Sequence, residues 1–600
     1  MPRRIGRAIG RDRAVLTPSR ASLYGCGLMF ALPFLLPYHR FPLTSFYSEW
    51  LAFALGLLAA LLLLRRSSGA TAEIPVIALA PAGLILLLLI QAMLGRVPYP
   101  EQALIAALYL LWASLLVALG TRLRQELGMG RIVDTLAWFT LAGGMLNALA
   151  GIIQHYDLTV PAGFLVAQKA GAAVFGNLGQ PNHYAAYIAM ALASAAYLYG
   201  RRHFGVVVAI TFVSVLLFVA ALAGSRSPWL YFTAFLILSM LIHRYWRCDE
   251  TRRLLAFSAL LLPGFLVAQG VAELFPPPGG EQVTSLQRVF ASASGVAARI
   301  ALWDDAWRMF LAAPLIGSGW GQFPWHHFLH QASSGPGAAP GLFKHAHNLA
   351  LHLLAETGII GFAIVFGAAV VWLANLRTIA MDAAWWWVLA VLSIVGLHSM
   401  LEYPLWYSNF LGPVALLLGL GSNRTLHVRA PGALRLGVAV CVLAGLLNLY
   451  GVLAPYRAFE RVLFRPGDNT GAPVEEKVFM AAIARAHNEP LLTPYAELAI
   501  AYGIVPSREN LVEKIDLARR AVRFAPVEVV IYRLAILSAL AGDRAAALEQ
   551  LRWARRAYPA ALGEVISQLQ VLAREYPAEM TPLLELASAK RAQIRTPAAK

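Results

Sequence analysis

The sequence predicts an all-α protein: a polytopic bundle of about thirteen transmembrane helices with a C-terminal TPR-like α-helical domain. Three observations predict it. Of 600 residues, 59% are hydrophobic and 14% charged, with a mean hydropathy of +0.61, whereas soluble globular chains carry about a quarter charged residues. Apolar runs of about 20 residues, the length that crosses a bilayer, recur as far as residue 455. Beyond that point the composition turns polar, and two similar segments end at Pro526 and Pro559, 33 residues apart.

The runs place spans at 22–38, 48–64, 74–93, 102–120, 132–153, 182–199, 204–222, 228–243, 254–274, 347–374, 384–400, 405–421 and 434–455. The first follows six arginines in the manner of a signal peptide, but lacks a small-residue cleavage site and reads as an uncleaved span. With a cytoplasmic N-terminus, 21 arginines fall on inner segments, against Arg40, Arg96, Lys169 and Arg226 on short outer loops. That bias sets the orientation, and in a Gram-negative cell, with the chain in the inner membrane, the outer side is the periplasm. The expected organisation is a basic cytoplasmic N-terminus (1–21), spans one to nine (22–274), a large periplasmic loop (275–346), spans ten to thirteen (347–455) and a periplasmic helical domain (456–600). In that domain ARRAVRFAP and LRWARRAYP each put small residues on one helix face and stop at a proline, close to the tetratricopeptide period of about 34. Such helix pairs bind partners more often than they carry chemistry.

The net charge of +17 sits largely in the turns between spans, so it is a topology signal and nucleic acid is excluded as a partner. The three cysteines show no CxxC or zinc spacing. No cofactor is expected.

Four polar clusters share the predicted outer face: GNLGQPNHYAAY (176–187), GSRSPW (224–229), the loop from Arg299 through GSGWGQF to HAHN (345–348), and HSMLEYPLWY (398–407). Polar groups at a bilayer boundary are costly to dehydrate, so they invite a functional account. Arg226 opposes the charge bias; it is either a snorkelling side chain on lipid phosphate or a guanidinium for a phosphate-bearing ligand. Arg299, in SGVAARIALW, is a second such fork or a solvated helix charge. His345 and His347 flank Ala346; His347 is either an interfacial histidine or an acid–base group, and Asn348 either orients it or caps the next helix.

Five histidines gather at 326, 327, 330, 345 and 347, yet no HExxH exists, and Asp304 and Asp305 stand in another segment, so no metal is expected. Gln180, Asn182 and His183 surround Pro181 at a helix start, as plain caps or as contacts to an anionic ligand. Tyr403 and Tyr407 are belt aromatics or a sugar-stacking surface. Glu356 lies about 13 Å beyond His347 on a straight helix and reads as a buried hydrogen-bonding group, while GSGWGQF reads as a flexible turn.

Together the Ser225–Arg226 turn, the Arg299–Trp303 stretch, GSGWGQF and HAHN resemble the O-antigen ligase and polymerase superfamily of bacterial membrane glycosyltransferases. GNLGQPNHYA, HSMLEYPLWY and the helical tail look most like its PglL-type protein O-oligosaccharyltransferases. The resemblance implies transfer of a preassembled glycan from undecaprenyl diphosphate to an acceptor hydroxyl at the periplasmic face, without a metal. It further implies that Arg226 and Arg299 hold the diphosphate and that His347 is the essential histidine. Gln180 and one of Tyr403 and Tyr407 fall in segments tied to glycan or acceptor handling; Asn182 and His183 beside Gln180, and His345 and Asn348 beside His347, are the further substrate-binding candidates. The implied acceptor is a pilin-like protein, with lipid A–core as the ligase alternative and lipid-linked glycan as the polymerase alternative. A transporter would need broken or charged helices at mid-membrane. A membrane scaffold would leave Arg226 and HAHN without a role.

Overall fold

The computed structural model describes residues 17–64, 72–159, 161, 163–169, 173–278, 293–334, 337, 339–463 and 475–589. Most of the basic N-terminus, Arg65 and Arg66 among the inner arginines, and part of the 275–346 loop lie outside the described residues. Among the described residues the regular structure is helical, with one short exception. Residues Ala72–Pro75 pair antiparallel with Thr425–Val428, Ala72 opposite Val428, so two predicted inner-face segments are joined by a ribbon.

Helix stands at each segment read as a span. Seven are long and apolar enough to cross a membrane: Phe46–Leu64, Val76–Met93, Pro100–Leu127, Met129–Tyr156, Asp249–Leu274, Leu349–Leu376 and Pro431–Leu463. Val206–Leu222, Ala383–Ser399 and Ser408–Leu420 are shorter apolar helices. The protein is thus a multi-pass membrane protein.

The first segment departs from expectation. Its helix covers only Pro18–Met29, and a 3₁₀ turn follows at Leu32–Leu35. Pro33 supplies no N–H and cannot continue an α-helical ladder. Twelve residues rise about 18 Å, short of the hydrocarbon thickness. The tenth segment is broken as well, since Gly358 takes φ 64°, ψ −166° inside Leu349–Leu376. The last one, Pro431–Leu463, runs past the expected end at 455, and its 33 residues rise about 50 Å, longer than a bilayer core.

Pro181–Gly200 is buried on nearly every face. Helices Met129–Tyr156, Val206–Leu222, Ser227–Tyr245, Asp249–Leu274 and Ala383–Ser399 pack around it. A circumference that is mostly apolar beyond its first turn fits such a central position.

Beyond the membrane segments, seven helices from Glu476–His487 to Pro577–Ser588 stack in series. Helices Leu511–Phe524 and Arg544–Ala557 start 33 residues apart, in keeping with the sequence spacing. The stack is docked on the segment that precedes Leu349–Leu376: Phe328 and Ala332 of helix Phe323–Ser334 share its hydrophobic core. Arg556 also donates to the carbonyls of Ala332 and Ser333 at 3.3 Å.

Candidate active site

The polar clusters converge on a residue that the sequence reading left unnamed. Glu402 lies in the turn between Ala383–Ser399 and Ser408–Leu420, with its side chain 3% exposed. Asn182 Nδ2 donates to Glu402 Oε1 at 2.7 Å, and Arg299 Nη2 donates to the same oxygen at 3.0 Å. His347 Nδ1 lies 2.9 Å from Glu402 Oε2, and Gln180 Nε2 donates to that oxygen at 3.3 Å. A buried carboxylate is tolerated only when paired and hydrogen-bonded, and these four partners satisfy it. Burial acts to raise the Glu402 carboxyl, but the His347 hydrogen bond and the charges of His347, His398 and Arg299 prevail and hold it at about 2.

Local structure aims each group. Pro181 in the first helical turn needs no N–H partner and leaves Gln180 extended at φ −144°, ahead of Asn182. Asn182 Oδ1 accepts from Ser225 Oγ at 2.8 Å, which ties the Ser225–Arg226 turn to the cluster. Arg226 follows at the N-cap of Ser227–Tyr245 and is half-buried. His347 takes φ 52°, an uncommon conformation for a residue with a side chain. Asn348 caps the next helix by accepting from the Leu351 N–H at 3.1 Å, the capping role expected of it.

An ionised carboxylate only accepts, so His347 Nδ1 is the donor and the lone pair of the neutral ring sits on Nε2. With its side chain 20% exposed, His347 combines a buried partner with access from the cavity. Arg299 is 27% exposed and has donors beyond the one given to Glu402.

Aromatic rings surround the dyad. Tyr403 lies 5.1 Å, centroid to centroid, from the His347 ring at 85°, and 4.3 Å from His345. Tyr407 lies 5.8 Å from Tyr403 and 5.0 Å from His183. His183 is buried among these rings and those of His398 and Phe410, so it supports the wall. Burial, with the nearby charges of His352, Lys344 and His347, pushes His345 well below the ordinary histidine range.

The site opens on an apolar cavity of about 1010 Å³. His347, Tyr403 and Tyr407 line it together with Gln102, Ile105, Tyr109, Ala113 and Val117, one face of helix Pro100–Leu127. From Gln102 to Val117 that face runs about 22 Å, most of a hydrocarbon core.

Two expectations change. GSGWGQF is tied down rather than flexible. The buried Glu356 carboxylate accepts from the N–H groups of Gly321 and Phe323, both at 2.9 Å, and Gln91 Oε1 accepts from the Trp320 N–H. Positive φ at Gly317, Gly319 and Gly321 makes this path open to glycine alone without strain. The five histidines form no single group. His327 and His330 bond Asp305, at 2.6 Å for His327, while His345 and His347 belong to the Glu402 region. Ligand atoms of the neighbouring Asp304 and Asp305 and of His330 come within 4.8 Å of one another, but Asp304 also pairs with Arg308.

Glu402 carried a signal that sequence reasoning passed over. It is the only acidic residue between Asp382 and Glu460, in a segment otherwise suited to lipid. A lone acid there calls for a partner.

Fold and site together define a multi-pass helical membrane protein with a carboxylate–histidine–arginine centre at the end of a long apolar cavity. Residues 174–199 match the family described as protein glycosylation ligase, residues 211–366 that described as O-antigen ligase, and residues 386–570 that described as virulence factor membrane-bound polymerase, C-terminal. The chain is 26% identical to the General O-oligosaccharyltransferase of Acinetobacter baylyi over 409 residues, 66% of this chain and 69% of that protein. It is 24% identical to the ComP-specific O-oligosaccharyltransferase of the same organism over 347 residues, 57% of this chain and 60% of that one. The chain therefore resembles the O-antigen ligases and PglL-type O-oligosaccharyltransferases, as its motifs imply, and the matched regions contain all four polar clusters.

Proposed function

We propose that this protein is an O-oligosaccharyltransferase that moves a preassembled glycan en bloc from undecaprenyl diphosphate to serine or threonine hydroxyls of periplasmic acceptor proteins such as pilin. The observation that carries the reading is the Glu402–His347 pair at the mouth of the apolar cavity, which fits a reactive headgroup on a long lipid tail. The similarity to two O-oligosaccharyltransferases supports a glycan donor and a protein acceptor.

In this mechanism His347 Nε2 accepts the proton of the acceptor hydroxyl as its oxygen attacks the anomeric carbon. The C–O bond to the lipid diphosphate breaks on the opposite face, so the reaction inverts the anomeric centre in a single displacement. Glu402 fixes the tautomer and stabilises the imidazolium that forms. Arg226 and Arg299 meet the charge that develops on the diphosphate, which needs no protonation and no metal. Gln180 and Asn182 hold Glu402 in place, and Tyr403 or Tyr407 offers a stacking face for sugar. The TPR-like tail, docked on the outer loop, is the surface for the acceptor protein.

The match to O-antigen ligase favours a second reading with the same chemistry and lipid A–core as acceptor. One experiment separates them: co-expression with a lipid-linked glycan pathway, a pilin and lipid A–core. Sugar on pilin is the expected result. Sugar on lipid A–core supports the ligase, longer lipid-linked chains support a polymerase, and no product with donor present refutes all three.

A further inference from the structure

The anionic donor assigned above leaves a charge problem at the site. Glu402 and Arg299 form a salt bridge at 3.0 Å, so one cation of the cluster is largely offset before any ligand arrives. The diphosphate itself is at least dianionic. A further cation beside His347, facing the cavity, would add to the neutralisation.

Lys344 stands three residues before His347 and lines the cavity with it. Its side chain is exposed, yet burial pushes its ammonium below the ordinary lysine value. Both hold at once because the space it faces is the cavity rather than open solvent. Among the described residues no hydrogen bond or ion pair engages it. Among the described residues the one carboxylate that shares the cavity lining, Glu49, is occupied by other donors. Ser45 Oγ donates to it at 2.5 Å, the Ser408 N–H at 3.2 Å, and Tyr109 OH donates as well. An ammonium without a counter-charge in a confined apolar space is costly, and an incoming anion removes that cost.

We propose that Lys344 is a phosphate-binding residue of this site, presenting its ammonium to the diphosphate headgroup of the lipid that fills the cavity. The proposal rests on the donor assignment made under the proposed function. An ammonium acts as a point charge without the geometric demand of a guanidinium fork, which suits a headgroup that changes shape as its ester bond breaks.

The test uses the full-length protein in detergent, with Trp320 and Trp406 of the cavity lining as fluorescent reporters. The probes are geranylgeranyl diphosphate and geranylgeraniol, which share a tail and differ in the headgroup. Wild type is expected to prefer the diphosphate. Lys344→Met should weaken diphosphate binding about tenfold, in the range of a charge-assisted contact, and leave alcohol binding unchanged; Lys344→Arg should retain most of the affinity. Equal diphosphate affinity in Lys344→Met and wild type overturns the role of Lys344 while the donor assignment stands. Loss of alcohol binding in the same variant also overturns it, by showing that Lys344 shapes the cavity. No headgroup preference in wild type removes the donor assignment, and the role of Lys344 with it.

Discussion

Replacing Glu402 with glutamine exchanges one oxygen for an NH₂ group at nearly constant volume, so its consequences come from charge and hydrogen bonding. The carboxylate now accepts from Asn182, Arg299, His347 and Gln180. An amide has a single acceptor oxygen. If that oxygen keeps Arg299 and Asn182, the NH₂ faces His347 Nδ1, and the ring must turn to the tautomer with its proton on Nε2. The lone pair that would take the acceptor proton is then lost, and a fall in turnover of about 10³–10⁴-fold is expected, as for the carboxylate of a catalytic triad. Stability should fall too. The His347 hydrogen bond and the Arg299 charge are among the causes that hold the carboxyl below its usual 4.5, so the ionised form contributes stability to the fold. Because the folded value is depressed, that contribution is complete above pH 4.5 and disappears as the pH falls from there towards 2. The assay is glycan transfer by purified protein at neutral pH, with thermal unfolding followed in parallel between pH 7 and pH 3. Near wild-type turnover in a folded Glu402→Gln variant would refute the tautomer argument. An unfolding temperature no more acid-sensitive in wild type than in the variant would refute the electrostatic one.

Removing the base itself, as His347→Ala, should lower transfer about 10²–10⁴-fold while donor binding persists; full transfer at normal expression would leave His347 without its role. Arg299→Lys keeps the charge and loses the planar fork, and should reduce transfer at least about tenfold with the protein still folded; unchanged kinetics would count against diphosphate clamping. In the scaffold, Gly358→Ala should cost about 3 kcal/mol or more. Its φ of 64° with ψ −166° is glycine territory, and a Cβ there would meet the Leu315 carbonyl carbon at 2.4 Å. Gly437→Ala, where a Cβ meets nothing within 4 Å, is the control, and similar unfolding temperatures for the two would contradict the close approach.

Much of the helical layout was legible because lipid-facing and core-facing helices both demand long apolar runs, and such runs are a local property of sequence. Where the prediction slipped, one residue was responsible. Pro33 ended the first helix early, and Gly358 broke the tenth segment where the 315–323 turn crosses it. The turn itself was misjudged because the Glu356 carboxylate that holds it comes from a helix more than 30 positions away. Gln180, Asn182, Arg299 and His347 were identifiable as costly polar groups on one predicted face.

By itself, then, the sequence determined a helical membrane protein and the side chains available for chemistry on one side of it, through apolar run length and charge bias. Only the tertiary structure decided that these side chains share a single partner. Glu402 stands 55 positions from His347, 103 from Arg299 and 222 from Gln180. No periodicity links residues at such separations. What joins them is the packing of helix ends around one carboxylate that cannot remain buried without donors.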